Sequence, residues 1–363
     1  MNFPKFPLVV LAMLSLVASL SARLWTTVTG EKFEAEFVRT EGGTGIFRVK
    51  GKEYPYPLNR LSVADRLLIG RTINQQTGVT ASPAPSEEPA PTTPEDSSAN
   101  QSPIASADKT APPFAGEALK PGGSVEIEIP ILDPAGLRET QHAYGKPSSK
   151  ARMLLALPNE FDPSAKEYPL LIVSATADGG ASSIATAFQY LDEALAQGFV
   201  VIAVDGEFGK PTAGDPPSFR WALVAAARDA MEKEWPGAKK WPVATGGVSG
   251  GGGYASYNAL KLLQERANFI GLLLAVSPHN PTKFMSKVNS APVTVAHRMP
   301  IFMSAGEKDQ TATREITDAS HEALLHDGFK NVRYEHFDGG HQLYKPHLHA
   351  ALAWFLEESS KPH

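Results

Sequence analysis

The sequence predicts an α/β protein: a mostly parallel sheet flanked by helices, preceded by a small N-terminal β-barrel and a disordered linker. Three features point to this. Beyond Ser124, near-continuous apolar runs suited to strands buried on both faces alternate with stretches of helical period. Before Arg71, short alternating segments are punctuated by glycines. Between them the composition collapses to Pro, Ser, Thr, Ala and Glu, which cannot bury enough surface to offset its ordering entropy. A chain of 363 residues has room for more than one domain.

Residues 1–22 read as an export signal. Lys5 gives a positive start, Leu8 to Leu20 is apolar, and Ser19, Ser21 and Ala22 are small enough for cleavage after Ser21 or Ala22. The other reading is an uncleaved anchor, but the run is short for a span of about 20 residues. The expected address is therefore periplasmic or extracellular, with no stable membrane span after cleavage. The chain has no cysteine, so thiolate nucleophiles, thiolate metal sites and disulfides are excluded. Its formal net charge of -5 gives no basic field for phosphate backbones, and nucleic acid is not an expected partner.

Residues 23–71 carry the pattern of short strands. Phe33, Ala35 and Phe37 alternate with Lys32, Glu34 and Glu36, and Phe47 and Val49 alternate with Arg48 and Lys50. Ser62 and Asp65 form a capping-box-like start for a short helix that would turn Leu67 and Leu68 inward. Arg23-Leu-Trp-Thr, Phe33-Glu-Ala-Glu-Phe37, Gly51-Lys, Pro57-Leu58 and Leu61-Ser-Val-Ala-Asp65 together resemble the SH3-like homology domain of the Sla adaptor type. That resemblance implies a protein partner for this domain. Residues 72–123 are expected to be a disordered tether, with ends on the order of 35 to 40 Å apart if it behaves as a flexible coil.

From residue 124 to 358 the wound domain is expected. Val125, Ile127 and Ile129 alternate as on an edge strand, and Arg152 to Leu157 makes a second. Buried strands are expected at Leu170 to Val173, Phe199 to Val204, Val243 to Val248, Leu272 to Val276 and Ile301 to Ser304. Between them lie helices with one apolar face, such as Ile184, Phe188, Leu191 and Leu195, or Leu348, Ala351, Leu352 and Phe355.

The stretch from Val243 through Gly247-Val-Ser249-Gly-Gly251 runs from a buried strand into a helix faced by Ala255, Ala259, Leu262 and Leu263. This is G-x-S-x-G in the context that gives it meaning. A serine on a sharp strand-to-helix turn takes strained backbone angles, and Gly247 and Gly251 leave room for the turn to close. The helix start offers free N–H groups where an oxyanion forms, so the Gly250 amide is the first expected oxyanion donor. A phosphate loop is the structural alternative, but it would place Lys at the helix start. Ser249 is accordingly the expected nucleophile.

After the strand Ile301 to Ser304 comes Ala305-Gly-Glu-Lys-Asp309, which puts a carboxylate just past the carboxyl end of a parallel strand. Asp309 is the expected acid and Glu307 the fallback. The competing role for Asp309 is to cap the helix containing Ile316, Ala319 and Ala323. Asp338-Gly-Gly-His341 follows the last strand, where an imidazole reaches a serine on one side and an acid on the other, making His341 the expected general base. His347 and His349 share no helix face, and no metal or cofactor is expected.

The run Leu157 to Val173, the serine turn, Gly306 to Asp309 and Gly339-Gly-His341 together are similar to the α/β-hydrolase superfamily. The likeness is greatest to compact esterases of the polyhydroxyalkanoate depolymerase and feruloyl esterase kind. The resemblance implies an α/β-hydrolase fold with Ser249, Asp309 and His341 as a catalytic triad. One departure stands out. Where such enzymes usually carry His-Gly after the third strand, this chain reads Ser174-Ala-Thr-Ala-Asp-Gly-Gly180, leaving Thr176 or Ala177 to give the second oxyanion amide.

The function expected is hydrolysis of a small-molecule or polymer-borne carboxylic ester through an acyl-enzyme. The alternatives are a non-catalytic envelope-binding module that keeps the fold, and an exopeptidase. Phe208 to Phe219 and His279 to Pro300 are the expected pocket-shaping segments.

Overall fold

The computed structural model describes residues 20–26, 32–41, 44–57, 61, 65, 69, 111–176, 181–211, 214–288 and 293–361. The chain forms two compact units, divided between Pro103 and Ile104.

In the first unit, β1 (Leu20–Thr26), β2 (Lys32–Glu41), β3 (Thr44–Val49) and β4 (Lys52–Pro57) form an antiparallel meander in that order. Lys50 and Gly51, both at positive φ, make the two-residue turn between β3 and β4. This is the left-handed geometry that matches strand twist. Alternation puts Trp25, Phe37 and Phe47 on one face, where Leu61 and Ile69 join them in a buried core. The Trp25 indole N–H donates to the Ala35 carbonyl at 2.7 Å, so its one polar atom is satisfied. Arg23 stacks over the Trp25 ring and bonds to the buried Asp65. A small antiparallel β unit is thus present, and among the described residues no pairing closes it into a barrel. Strand β1 begins at Leu20, inside the expected leader, while residues 1–19, Leu67 and Leu68 lie outside the described residues.

The second unit starts earlier than expected. Where the tether was to run to Gly123, a hairpin of β5 (Ala111–Phe114) and β6 (Glu117–Leu119) turns at Ala115 and Gly116, both at positive φ. Its apolar side chains explain the difference. Phe114 is fully buried, edge-on to Trp235 at 4.9 Å, and Leu119 joins the same core. Composition alone hid two anchors in a polar stretch.

The chain then runs β7 (Ser124–Pro130), α1 (Pro134–Tyr144), β8 (Lys150–Ala156), β9 (Leu170–Ser174), α2 (Ser183–Ala187), α3 (Leu191–Ala196), β10 (Val200–Gly206) and α4 (Pro217–Glu234). After these come β11 (Val243–Val248), α5 (Gly251–Gln264), β12 (Phe269–Ala275), α6 (Thr282–Met285), α7 (Val293–Ala296), β13 (Ile301–Gly306), α8 (Arg314–His326), β14 (Val332–Phe337) and α9 (Lys345–Ser359). Asp133 caps α1 by accepting from the Gly136 amide at 2.8 Å, and Gly145 ends that helix in the left-handed region. The single apolar helix face expected from Ile184 to Leu195 is instead two short helices, α2 and α3. Tyr190, fully buried, occupies the break between them.

The eight-stranded sheet has the order β14-β13-β12-β11-β9-β10-β8-β7. Strand β8 is antiparallel to both of its neighbours, and β9 through β14 are mutually parallel. The edge strand β7 alternates and the central strands β9 and β10 are buried along their whole length, as their sequences require. This is the α/β-hydrolase arrangement of a mostly parallel sheet flanked by helices. From β9 the chain steps to β10 on one side and returns to β11 on the other. The carboxyl end of β9 is therefore the switch point at which wound sheets open a crevice.

Candidate active site

Ser249 sits between β11 and α5 with φ of +55°, in the left-handed region that a non-glycine residue rarely adopts. Hydrogen bonds hold it there: its amide donates to the Ala275 carbonyl at 2.9 Å, and its carbonyl accepts from the Gly252 amide at 3.0 Å. The glycines are dictated by contact. A Cβ on Gly247 would strike the backbone of Gly251, and one on Gly251 would strike the Ser174 carbonyl. The start of α5 is thereby pressed against both its own strand and the loop that follows β9.

Asp309 lies just beyond β13 and is buried, with its carboxylate fully shielded from solvent. One carboxylate oxygen accepts from the amides of Thr311 and Ala312 at 2.8 and 2.9 Å. The other faces His341 Nδ1 at 2.8 Å. The capping alternative is not met, because the residue at the N-cap of α8 is Thr313. Glu307, the fallback acid, turns away to bond Arg314 at 3.0 Å.

His341 reaches this position because the loop after β14 folds back over the end of β13. Glu307 N donates to the Phe337 carbonyl at 2.9 Å and Lys308 N to that of Gly339 at 2.8 Å. The approach is so close that a Cβ on Gly306 would stand 2.6 Å from the carbonyls of Gly339 and Gly340. Asp309 thus takes Nδ1 of the imidazole. Among the described contacts no hydrogen bond joins Ser249 to His341.

Ser174 pairs with Gly247 across the β9–β11 ladder, so the loop after β9 lies beside the serine turn. Thr176 is at Gly250, where its hydroxyl occupies the space a Cβ there would need. Among the described residues the Gly250 amide donates to no backbone or side-chain acceptor. The Ala175 amide is already taken by Ser183 Oγ at 3.2 Å. Ala177, the other expected donor, and Asp178 lie outside the described residues.

Sequence reading missed the support beneath this loop. Asp205, buried at the end of β10, accepts from the Ser183 amide at 2.8 Å and from the Ser182 hydroxyl, fixing the start of α2. Arg220 lies 3.7 Å from Asp205, makes a two-pronged bond to Asp215, and passes under the Tyr254 ring. Burial opposes the charge on Arg220, but the Asp215 bond and the Asp205 charge outweigh it and hold its pKa above the ordinary value. A carboxylate at the carboxyl end of a buried parallel strand was the available signal.

A pocket of about 330 Å³ opens beside Thr176 and Gly250. Both expected pocket-shaping segments contribute, the first through Pro217 and the second through His279, Lys283, Phe284 and Lys287. Val276 turns the chain sharply out of β12 at φ of +43°, a strained setting for a β-branched residue, and so sends this second segment across the site. Among the described residues, no group of His, Asp or Glu is placed to hold a metal ion.

The mostly parallel sheet and the strained strand-to-helix turn at Ser249 together define an α/β-hydrolase-fold protein. Solved structures similar to this chain include puromycin hydrolase, at 18% identity and TM-score 0.42, with 58% of this chain and 37% of that one covered. The chain therefore spans little more than a third of that protein. A ferulic acid esterase is similar at 16% identity and TM-score 0.41, covering 66% of this chain and 98% of that one. An esterase from the hyperthermophilic archaeon Pyrobaculum calidifontis is similar at 13% identity and TM-score 0.45, covering 65% and 84%. No protein family and no curated relative matches the sequence.

Proposed function

We propose that the second unit is a serine hydrolase that cleaves carboxylic esters through an acyl-enzyme, with Ser249, His341 and Asp309 as its triad. The observation that carries this is the buried Asp309 carboxylate 2.8 Å from His341 Nδ1, past the carboxyl ends of the same parallel strands as a serine strained to φ of +55°. His341 Nε2 takes the Ser249 proton as the hydroxyl attacks the ester carbonyl, and Asp309 holds the tautomer and stabilises the imidazolium. The Gly250 amide, with that of Thr176 or Ala177, receives the oxyanion; one such donor is worth about 10² to 10³ in turnover. His341 then protonates the departing alcohol, activates a water against the acyl-enzyme, and returns the proton to Ser249. The scheme uses no metal or cofactor. In this reading the protein is exported, and its N-terminal β unit engages a protein partner.

The test is labelling with a fluorophosphonate, mapping of the modified peptide, and turnover of short-chain aryl esters by the wild type and Ser249→Ala. Labelling at Ser249 and loss of both signals in the variant are expected. Modification of a different serine overturns the scheme. Absence of labelling and turnover, with retained binding to an envelope polymer, leaves a non-catalytic module.

A further inference from the structure

The pocket beside the serine turn has a charge pattern that ester chemistry alone does not call for. Lys283 and Lys287, four residues apart, stand exposed at its rim. Lys283 Nζ lies 3.4 Å from His279 Nδ1, so the imidazole offers its lone pair to the ammonium and no negative charge. Lys287 Nζ lies 5.8 Å over the Phe284 ring. Among the described residues neither lysine is paired with a carboxylate, and no Asp or Glu lines the pocket. Asp215, whose backbone carbonyl accepts from the Tyr254 hydroxyl at this wall, has its carboxylate bound to Arg220. Pro217, Phe284 and the Tyr254 ring supply an apolar floor.

We infer that Lys283 and Lys287 form a subsite for an anionic oxygen group, so that the preferred ester carries a carboxylate a few bonds from the carbonyl attacked at Ser249. This rests on the hydrolase reading above for its chemistry, and on the pocket alone for its charge preference. Two ammonium groups beside a low-dielectric wall attract one carboxylate in both ground and transition states, so the preference appears in kcat/KM. Thr176 and Gly250 border the same pocket, which places the charged end on the oxyanion side of the scissile bond.

Two matched pairs of esters locate the charge. In the first, 4-nitrophenyl hemiglutarate is compared with 4-nitrophenyl valerate, which tests an anionic acyl group. In the second, 4-carboxyphenyl butyrate is compared with 4-carbamoylphenyl butyrate, which tests an anionic alcohol. One pair is expected to favour the charged ester by about tenfold in kcat/KM, and the ratio should fall to about one in Lys283→Gln/Lys287→Gln. The ratio should also shrink as salt rises from about 0.02 to about 0.5 M, since exposed charges are screened over a Debye length. Parity in both pairs, or a preference that survives the double substitution, overturns the inference.

A second measurement separates this from the failure of the hydrolase reading. Calorimetric binding of monomethyl glutarate to full-length Ser249→Ala should weaken about tenfold when both lysines are also replaced. If no ester is turned over and this dependence holds, the subsite stands and the hydrolase reading falls. If binding is indifferent to the lysines, the subsite falls whatever the turnover.

Discussion

Asp309→Asn removes one charge and almost no volume, which makes it the most direct probe of the proposed triad. The two amides of Thr311 and Ala312 fix which way the new side chain turns: its carbonyl oxygen keeps their bonds, formerly 2.8 and 2.9 Å, and its NH₂ group faces His341. That NH₂ can only donate, so His341 Nδ1 must become the acceptor and its proton moves to Nε2. The imidazole then presents a proton to Ser249 where it should present a lone pair. In a serine-protease triad the same exchange lowers kcat by about 10⁴, or about 5 kcal/mol in activation free energy, and a similar fall is expected here. Stability should change far less. Three charge-assisted bonds become neutral ones, a loss of about 1 to 3 kcal/mol, or about 2 to 10 °C in Tm for a unit of this size. The assay is kcat/KM on a short-chain aryl ester with Ser249→Ala as the background, alongside thermal unfolding of both variants. Turnover within about tenfold of wild type, in a protein that folds normally, would refute the role given to Asp309.

Gly251→Ala forces a methyl group against the Ser174 carbonyl, where only backbone can give way. Destabilisation of about 1 to 3 kcal/mol is expected by denaturant unfolding, together with loss of turnover, because the displaced loop carries Thr176. Asp205→Asn leaves Arg220 and Arg152 short of a charge and weakens the anchor of α2 at Ser183. Unfolding should shift by about 2 to 4 kcal/mol, and a variant with unchanged stability would show that the network is not structural. His347 is buried against Ser304 Oγ at 2.8 Å, and burial lowers its pKa below the ordinary histidine value. The unfolded chain therefore takes up the proton first, so the contribution of neutral His347 is present above about pH 6.5 and is lost as pH falls below it. Replacing it as His347→Gln should flatten the decline of Tm between about pH 7 and 5 relative to wild type, and an unchanged slope would exclude His347 as a source of that decline.

Local patterns made much of this legible. Alternation gave the edge strand at Val125 to Ile129, and continuous apolar runs gave the buried strands, because burial on one or two faces imposes those periods directly on the sequence. The serine turn was equally visible, since Gly247 is required by contact with the backbone of Gly251 four residues on, although Gly251 itself is required by Ser174 far back in the chain. The hairpin at Ala111 to Leu119 was hidden because Phe114 and Leu119 are anchored by Trp235 and its neighbours far along the chain. The break between α2 and α3 was hidden as well, since it depends on where Tyr190 is buried.

By itself, then, the sequence determined which strands are buried, where the chain turns at Ser249, and where a carboxylate and an imidazole follow strands β13 and β14. Those properties are set by neighbours in the chain. Only the tertiary structure decided that Asp309 rather than Glu307 meets His341, that Asp205 and Arg220 brace the loop after β9, and that Lys283 and Lys287 stand at the mouth of the pocket. Each of those pairings joins segments brought together by the order of strands in the sheet, and distance along the chain says nothing of distance across it.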